Sequence, residues 1–360
     1  MKKLLMSLVM FFSLALVTVT LVVLAIYKAG YHPVAEQNME VQRGNWVADE
    51  VPLRYRDNLV VVFANLNHGL GLEPVWYEVP NATAKPAEVD AIKARLEDFC
   101  KFVAPRDPDV VLLHEVDFGS EATGLLDQAE YVATRLNFPY VSRVPDQKSP
   151  YPLYPDVFAK RLAGSIDSGY AVLSRYPVVA SVQRPLPKAK RRPWALDSFG
   201  PISYVHEARI SIGDGRLLKL LHVRLDEWDA SARHEQAADA ARWIDDRDYS
   251  DSVVFVSAYT EPPKRPKNAI EAAEFGEIEY TVDILRFRRH LKDLVSDLDF
   301  KEAPDAFRNV LDKAGVPVAF FDRVMVGPQV RDAKLETLKE AAGFSNHLPL
   351  VLDFQIPGAR

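Results

Sequence analysis

Several apolar runs in this chain end in side chains that can bind ions or move protons. Val110 to Leu113 runs into His114, Glu115 and Asp117. A carboxylate at such a strand end can hold Mg²⁺ or Mn²⁺, since one or two protein carboxylates suffice when phosphate oxygens complete the shell. Asn58 to Ala64 runs into Asn65-Leu-Asn-His-Gly69, and Arg216 to Val223 ends at Arg224-Leu-Asp226. Ser252 to Val256 leads into Ser257-Ala-Tyr-Thr260, and Phe344-Ser-Asn-His347 stands just before the apolar LPLVLDF. Taken singly, each is also what a polar strand end facing water looks like.

The elements that must position these groups follow from the pattern of apolar residues. Short unbroken apolar runs read as strands buried on both faces. Between the first two, Pro86 to Val103 carries a helical period through Val89, Ile92, Leu96, Phe99 and Val103, closed by Pro105 and Pro108. Leu125 to Leu136 suits a second helix, and residues 145–160, rich in Pro, Tyr and Asp, read as a loop. Asp167 to Pro177 and Val178 to Val182 read as two strands, with Arg175 at the first one's end. His206 to Asp226 reads as a hairpin about Asp214-Gly215. Helical patterns follow over 230–244 and 281–295, then strands over 319–326 and 348–354. Strands alternating with helices imply α/β layering.

Composition sets bounds. The chain has 360 residues, 48% of them hydrophobic, enough for a large core. A net charge of −6 argues against broad sequence-independent nucleic-acid binding. The single cysteine, Cys100, lies in a helical pattern and reads as a small core residue. Lys188, Lys190, Arg191 and Arg192 form a basic run. Such a run is usually a solvated loop; the other reading is contact with lipid headgroups or a phosphorylated ligand.

Leu4 to Tyr27 carries no charge and follows Lys2 and Lys3. As a helix it is ~36 Å long, enough to cross a ~30 Å hydrocarbon layer. The two lysines place the body outside the cytoplasm, on the periplasmic or extracellular side. The division expected is an anchor over 1–27, a polar juxtamembrane linker over 28–57 and a folded domain over 58–356.

The order of the stretches VVVFANLNHG, DVVLLHEVD, SGYAVLSRYPVV, LLKLLHVRLDEWD and FSNHLPLVLDF resembles the endonuclease/exonuclease/phosphatase superfamily. The resemblance implies a four-layered α/β/β/α sandwich of two packed mixed sheets, with the site where strand ends converge. It assigns Asn65 to positioning metal and phosphate, Glu115 to the metal, and His347 to base catalysis. Arg175 has an equivalent in many relatives and is a ligand-contact candidate, or else a sheet-edge arginine paired with a carboxylate.

Departures fall on the chemistry. Arg224 stands where the family has a phosphate-contacting His. Ala258 stands for the Asp that polarises water, Thr260 for its neighbouring Asn, and Asn346 for the Asp that orients the base. Arg224 can fork onto phosphate but cannot shuttle a proton, and Ala258 cannot activate water. His222, Asp226, Asp229 and Glu261 flank the degenerate positions as possible stand-ins. The expectation is a membrane-anchored, catalytically depleted relative that binds a phosphorylated ligand, a lipid headgroup or a protein partner. Two alternatives stay open: an active, divergent metal-dependent phosphodiesterase or phospholipase, and a structural envelope protein.

Overall fold

The computed structural model describes residues 2–44, 58–72, 89–150, 165–188, 200–213, 215–226, 230–246, 252–257, 292–293, 310–311, 317–319, 323–338, 344–345 and 347–356. The helix α1 spans Lys2–Ala29, followed by β1 (Gln37–Asn38), β2 (Val41–Arg43) and β3 (Asn58–Asn65). Then come α2 (Val89–Val103), β4 (Val110–Asp117), α3 (Gln128–Leu136), β5 (Tyr140–Ser149), β6 (Ile166–Ser174) and β7 (Val178–Pro185). The hairpin β8 (Tyr204–Gly213) and β9 (Arg216–Arg224) precedes α4 (Ala230–Asp245) and β10 (Ser252–Ser257). The last strands are β11 (Lys292–Asp293), β12 (Val310–Leu311), β13 (Pro317–Ala319), β14 (Arg323–Val326), β15 (Arg331–Thr337) and β16 (Leu350–Gln355).

Two seven-stranded mixed sheets result, in the orders β1-β7-β8-β9-β10-β14-β11 and β15-β16-β3-β4-β6-β5-β2. Alternation along each strand decides which layer a residue joins. Val61, Phe63, Val110 and Leu112 from one sheet meet Ala208, Ile210, Leu218 and Leu220 from the other in the central core. Their neighbours Val62, Ala64, Val111 and Leu113 turn outward to Ile92, Leu96 and Phe99 of α2 and Val132 of α3. Leu221 and Val223 do the same toward Ala237, Ala240 and Ile244 of α4. This is the α/β/β/α sandwich that the resemblance implied.

Five features depart from expectation. Residues 28–57 are not merely a linker: β1 pairs with β7 and β2 with β5, so the segment after α1 adds an edge strand to each sheet. Of the loop expected over 145–160, residues 145–149 belong to β5, with Pro145 accommodated at a register shift, and 151–164 lie outside the described residues. Within the expected helix 281–295, Lys292 and Asp293 pair as a strand with β14, and 281–291 lie outside the described residues. An unexpected strand, β15, pairs with β16; its half-exposed, charged sequence shows little apolar alternation. The single run 319–326 resolves into β13 and β14, with 320–322 outside the described residues.

α1 is long and apolar enough to cross a membrane, and its large side chains from Leu4 to Leu24 are exposed. Cys100 is buried, as its place in α2 implied.

Candidate functional site

β3 and β4 run parallel, as do β9 and β10, so their C-terminal ends carry Asn65, His114 to Asp117, Arg224 and Ser257. Two irregularities aim the carboxylates. On β4, Leu113 pairs with Ala171 and Val116 with Gly169, which leaves His114 and Glu115 facing one residue of β6. Such a bulge re-aims a side chain. Glu115 adopts φ 50°, a left-handed conformation that a non-glycine residue holds only at a cost of ~1–2 kcal/mol. On β5, Pro145 pairs with Gly169 and Gln147 with Ser168, so Asp146 is the extra residue of a second bulge. Gly169 lies under both. A Cβ on it would come 2.1 Å from the Val144 carbonyl oxygen and 2.9 Å from the Asp146 nitrogen.

The second bulge delivers Asp146 to Arg224, and the two form an ion pair in which both side chains are buried. Burial pushes the Asp146 carboxyl up to about 6, against the pull of the Arg224 guanidinium. Beside them, His68 Nδ1 lies 2.8 Å from Asp117 Oδ1. The Thr123 hydroxyl donates to Asp117 Oδ2 (2.6 Å), and Gln128 Nε2 donates to the His68 carbonyl (2.7 Å). Burial opposes the charge on His68, but the Asp117 carboxylate more than offsets it and raises the imidazole to about 9. Asn65 Oδ1 accepts from the Asn67 amide (2.7 Å), and its Nδ2 donates to His114 Nδ1 (3.3 Å). Glu115, 8% exposed, makes no hydrogen bond or ion pair among the described residues.

Beneath this end lies a layer of buried rings between the sheets. The Tyr170 ring stacks on Tyr204 (centroids 5.2 Å) and meets His206 and His222 edge-on at 4.9 and 4.5 Å. His222 shares a 3.1 Å hydrogen bond with the Tyr204 hydroxyl and touches the His114 ring at 5.1 Å. Burial drives His114 and His222 well below the usual histidine range, and Arg224 adds to both shifts. His206 is lowered to about 3 by burial alone. All three imidazoles are therefore neutral at pH 7.

The site residues read from sequence divide as follows. Asn65, Glu115 and Arg224 stand at the same end of the sandwich. His347 is half-buried next to Ser345, which bridges Gly71 in the loop after β3, and its charge reaches His114. Ala258, Thr260 and Asn346 lie outside the described residues, as do Asp229 and Glu261; Ser257, just before Ala258, pairs in register with Arg224. Arg175 must be moved. Ser174 pairs with Val110 at the start of β4, which puts Arg175 at the far end of the sheet, bonded to Asp107 and to the Pro108 carbonyl (3.1 Å). This is the sheet-edge pairing with a carboxylate that the sequence also allowed.

Arg224 also needs qualifying, because one arm of its guanidinium is committed to Asp146. His222 is fully buried against Tyr170, Tyr204 and His114. Sequence reasoning did not select His68, Asp146 or the Tyr170 layer. Three consecutive left-handed residues, Asn67, His68 and Gly69, mark a built turn at His68, and only the glycine among them was a visible signal.

Whether the set fits a divalent ion depends on which carboxylates remain. Asp117 is taken by His68 and Thr123, and Asp146 by Arg224, which leaves Glu115. Among the described residues no group of three or more His, Cys, Asp or Glu side chains can hold a metal. The donors fit an ion shared with a ligand's phosphate oxygens, not one enclosed by protein alone.

The family model described as "Endonuclease/Exonuclease/phosphatase family" matches residues 62–270. The chain belongs to this family. Among solved structures it resembles an endonuclease/exonuclease/phosphatase from Beutenbergia cavernae, with 18% identity, TM-score 0.57, and coverage of 84% of this chain and 73% of that one. It also resembles an endonuclease/exonuclease/phosphatase family protein from Bacteroides thetaiotaomicron (12% identity, TM-score 0.51, 83% and 98% covered). A mannosyl-6-phosphatase from the same organism stands at 13% identity and TM-score 0.51, with 82% and 99% covered. At these identities the likeness is one of fold. No curated protein matches the sequence.

Proposed function

We propose that this chain is a membrane-tethered, extracytoplasmic member of the family that binds a phosphorylated ligand in a cleft at the strand ends carrying Asn65, Glu115 and Arg224, and does not hydrolyse it. The observation that carries the reading is the buried Arg224–Asp146 pair at the end of β9. A guanidinium stays protonated at any working pH, and here it is tied to a carboxylate, so it can neither give nor take a proton. With Ala258 in the position that would polarise water and Asn346 beside His347, no residue at the family's catalytic positions supplies a water-activating carboxylate.

What persists is a binding end. Glu115, with Asn65 beside it, would hold Mg²⁺ or Mn²⁺ jointly with the ligand's phosphate. Such an ion would neutralise the phosphate charge. The guanidinium charge of Arg224 and the cationic His68 favour anions at the same end. A purely structural role does not account for a buried carboxylate on a left-handed bulge, because a glycine or a neutral side chain would hold the strand with less strain.

One observation favours the active, divergent phosphodiesterase instead: the buried His68–Asp117 pair. Raised to about 9, His68 is charged at neutral pH and so suited to donating a proton or stabilising an oxyanion. Partial repair distinguishes the two readings. Ala258→Asp, Thr260→Asn, Asn346→Asp and Arg224→His together are expected to introduce magnesium-dependent phosphodiester hydrolysis, and Glu115→Ala in that background to remove it. Repaired protein that stays folded, binds Mg²⁺ and shows no turnover would count against the assignment of the lost positions.

A further inference from the structure

The connection between α1 and the body is short and pinned. The Tyr31 amide donates to the Lys148 carbonyl on β5 (2.9 Å), so Gly30 alone separates the last residue of α1 from the domain. Within the connection the Gly30 amide donates to the Tyr27 carbonyl (3.1 Å), and His32 Nε2 bonds the same oxygen at 2.8 Å with its ring stacked on Tyr27. The Tyr31 hydroxyl is hydrogen-bonded to Gln183 and Gln37. Past that point Gln37 pairs with Gln183 of β7 and Val41 with Ser142 of β5, so the segment is fixed to both sheets. A body attached this way does not swing freely beneath its anchor.

The end of the sandwich that is pinned is also the end that carries the cleft. Lys148 lies two residues beyond Asp146 on β5. The Tyr31 hydroxyl bonds Gln183, whose Nε2 donates to the Pro145 carbonyl (3.0 Å) next to Asp146, and burial with the Asp146 charge raises that hydroxyl above its ordinary range. β7 leaves the same end, since Pro185 pairs with Tyr204 and Tyr204 with Arg224. It runs out to the exposed Lys188, after which the sequence continues through Lys190, Arg191 and Arg192.

We infer that the cleft opens toward the bilayer surface and that its ligand is the phosphate of an anionic phospholipid headgroup. This rests on the phosphate-binding reading above and adds where the phosphate comes from. Lys188 at this end, with three further cations within four residues of it in the sequence, favours anionic over zwitterionic lipid. A cleft held at headgroup depth then meets phosphate without extracting lipid. A soluble phosphoester has the same chemistry, and the test must separate the two sources.

The full chain is placed in nanodiscs of phosphatidylcholine alone, or of equal parts phosphatidylcholine and phosphatidylglycerol. Spin labels are introduced through Lys188→Cys, or Lys148→Cys as a second reporter, and through Arg331→Cys. Arg331 pairs with Gln355, which faces Asn58 at the start of β3, so it marks the opposite end. A strand of nine residues such as β9 separates the two ends by ~30 Å. Cys100 does not interfere, because burial pushes its thiol up to about 12.

The expected result is that labels at 148 and 188 lose most of their access to an aqueous nickel chelate, while the label at 331 keeps it. Equal access at both ends overturns the membrane-facing geometry. Phosphatidylglycerol carrying a photoreactive headgroup is expected to cross-link to peptides of β5 or β9, and excess glycerol 3-phosphate to leave most of that yield. Cross-links confined to α1, or complete competition by glycerol 3-phosphate, overturn the lipid source. Release of headgroup from the lipid would refute the non-hydrolytic reading and leave the geometry standing, so the two failures are distinguishable.

Discussion

His206 is the buried group whose titration is simplest to read. It sits on β8 facing the inter-sheet layer, 1% exposed, with Nε2 bonded to the Ser181 hydroxyl at 2.7 Å and its ring edge on Tyr170. Burial lowers its imidazole from 6.5 to about 3. The unfolded chain therefore binds this proton first as pH falls. Stability from His206 is fully present above ~6.5 and is lost progressively between there and ~3. Between pH 7.5 and 5.0 the loss is ~2 kcal/mol, from the ratio of protonated populations at the two values. His206→Gln keeps a polar group for Ser181 and cannot titrate. Urea unfolding of the full chain in detergent, followed by tryptophan fluorescence at both pH values, gives two differences to compare. The wild-type protein should lose ~2 kcal/mol more than the variant over this interval. Parallel pH dependences for the two proteins would refute the claim that His206 is held neutral by burial.

Three further outcomes follow from the site. Arg224→Met and Asp146→Asn should each destabilise the fold by ~3–5 kcal/mol, because either leaves a buried group unpaired, while the double variant should recover most of that loss in a double-mutant cycle. Gly169→Ala should cost more than ~2 kcal/mol, since its Cβ would overlap the Val144 carbonyl and β5 must shift to relieve it; thermal denaturation reads this directly. Glu115→Gly should stabilise the domain by ~1 kcal/mol by relieving the left-handed backbone, and should abolish Mg²⁺-dependent ligand binding measured by calorimetry.

The strands with unbroken apolar runs were legible from sequence, because burial on both faces leaves no polar residue to break the pattern. β3 and β4 are of this kind, and they carry Asn65 and Glu115; β9, which carries Arg224, was legible from its hairpin about Asp214-Gly215, and β10 from the apolar run that ends at Ser257. β5 was not legible over its second half. Pro145 and Asp146 are poor strand residues, and what admits them is a bulge against Gly169 on a neighbouring strand, a tertiary fact. That bulge is also why the commitment of Arg224 to Asp146 was invisible: the two are far apart in sequence and meet only across the sheets. β1 and β2 are too short for any period to register. The polar segment around them reads as a linker until both sheet edges are in place. For Arg175 the sequence left two readings open, since a motif shared with relatives does not say which end of a strand it stands at.

The central claim is that the cleft binds phosphate and has lost hydrolysis. Its most direct test is magnesium-dependent turnover of a generic phosphodiester by the unmodified full chain, with the Glu115→Ala variant alongside. The account predicts no turnover above the no-protein rate for either protein, with Mg²⁺-dependent phosphate binding present in the first and absent in the second. Turnover by the unmodified chain that disappears with Glu115→Ala would contradict it, and would make the His68–Asp117 pair the first place to look for the chemistry.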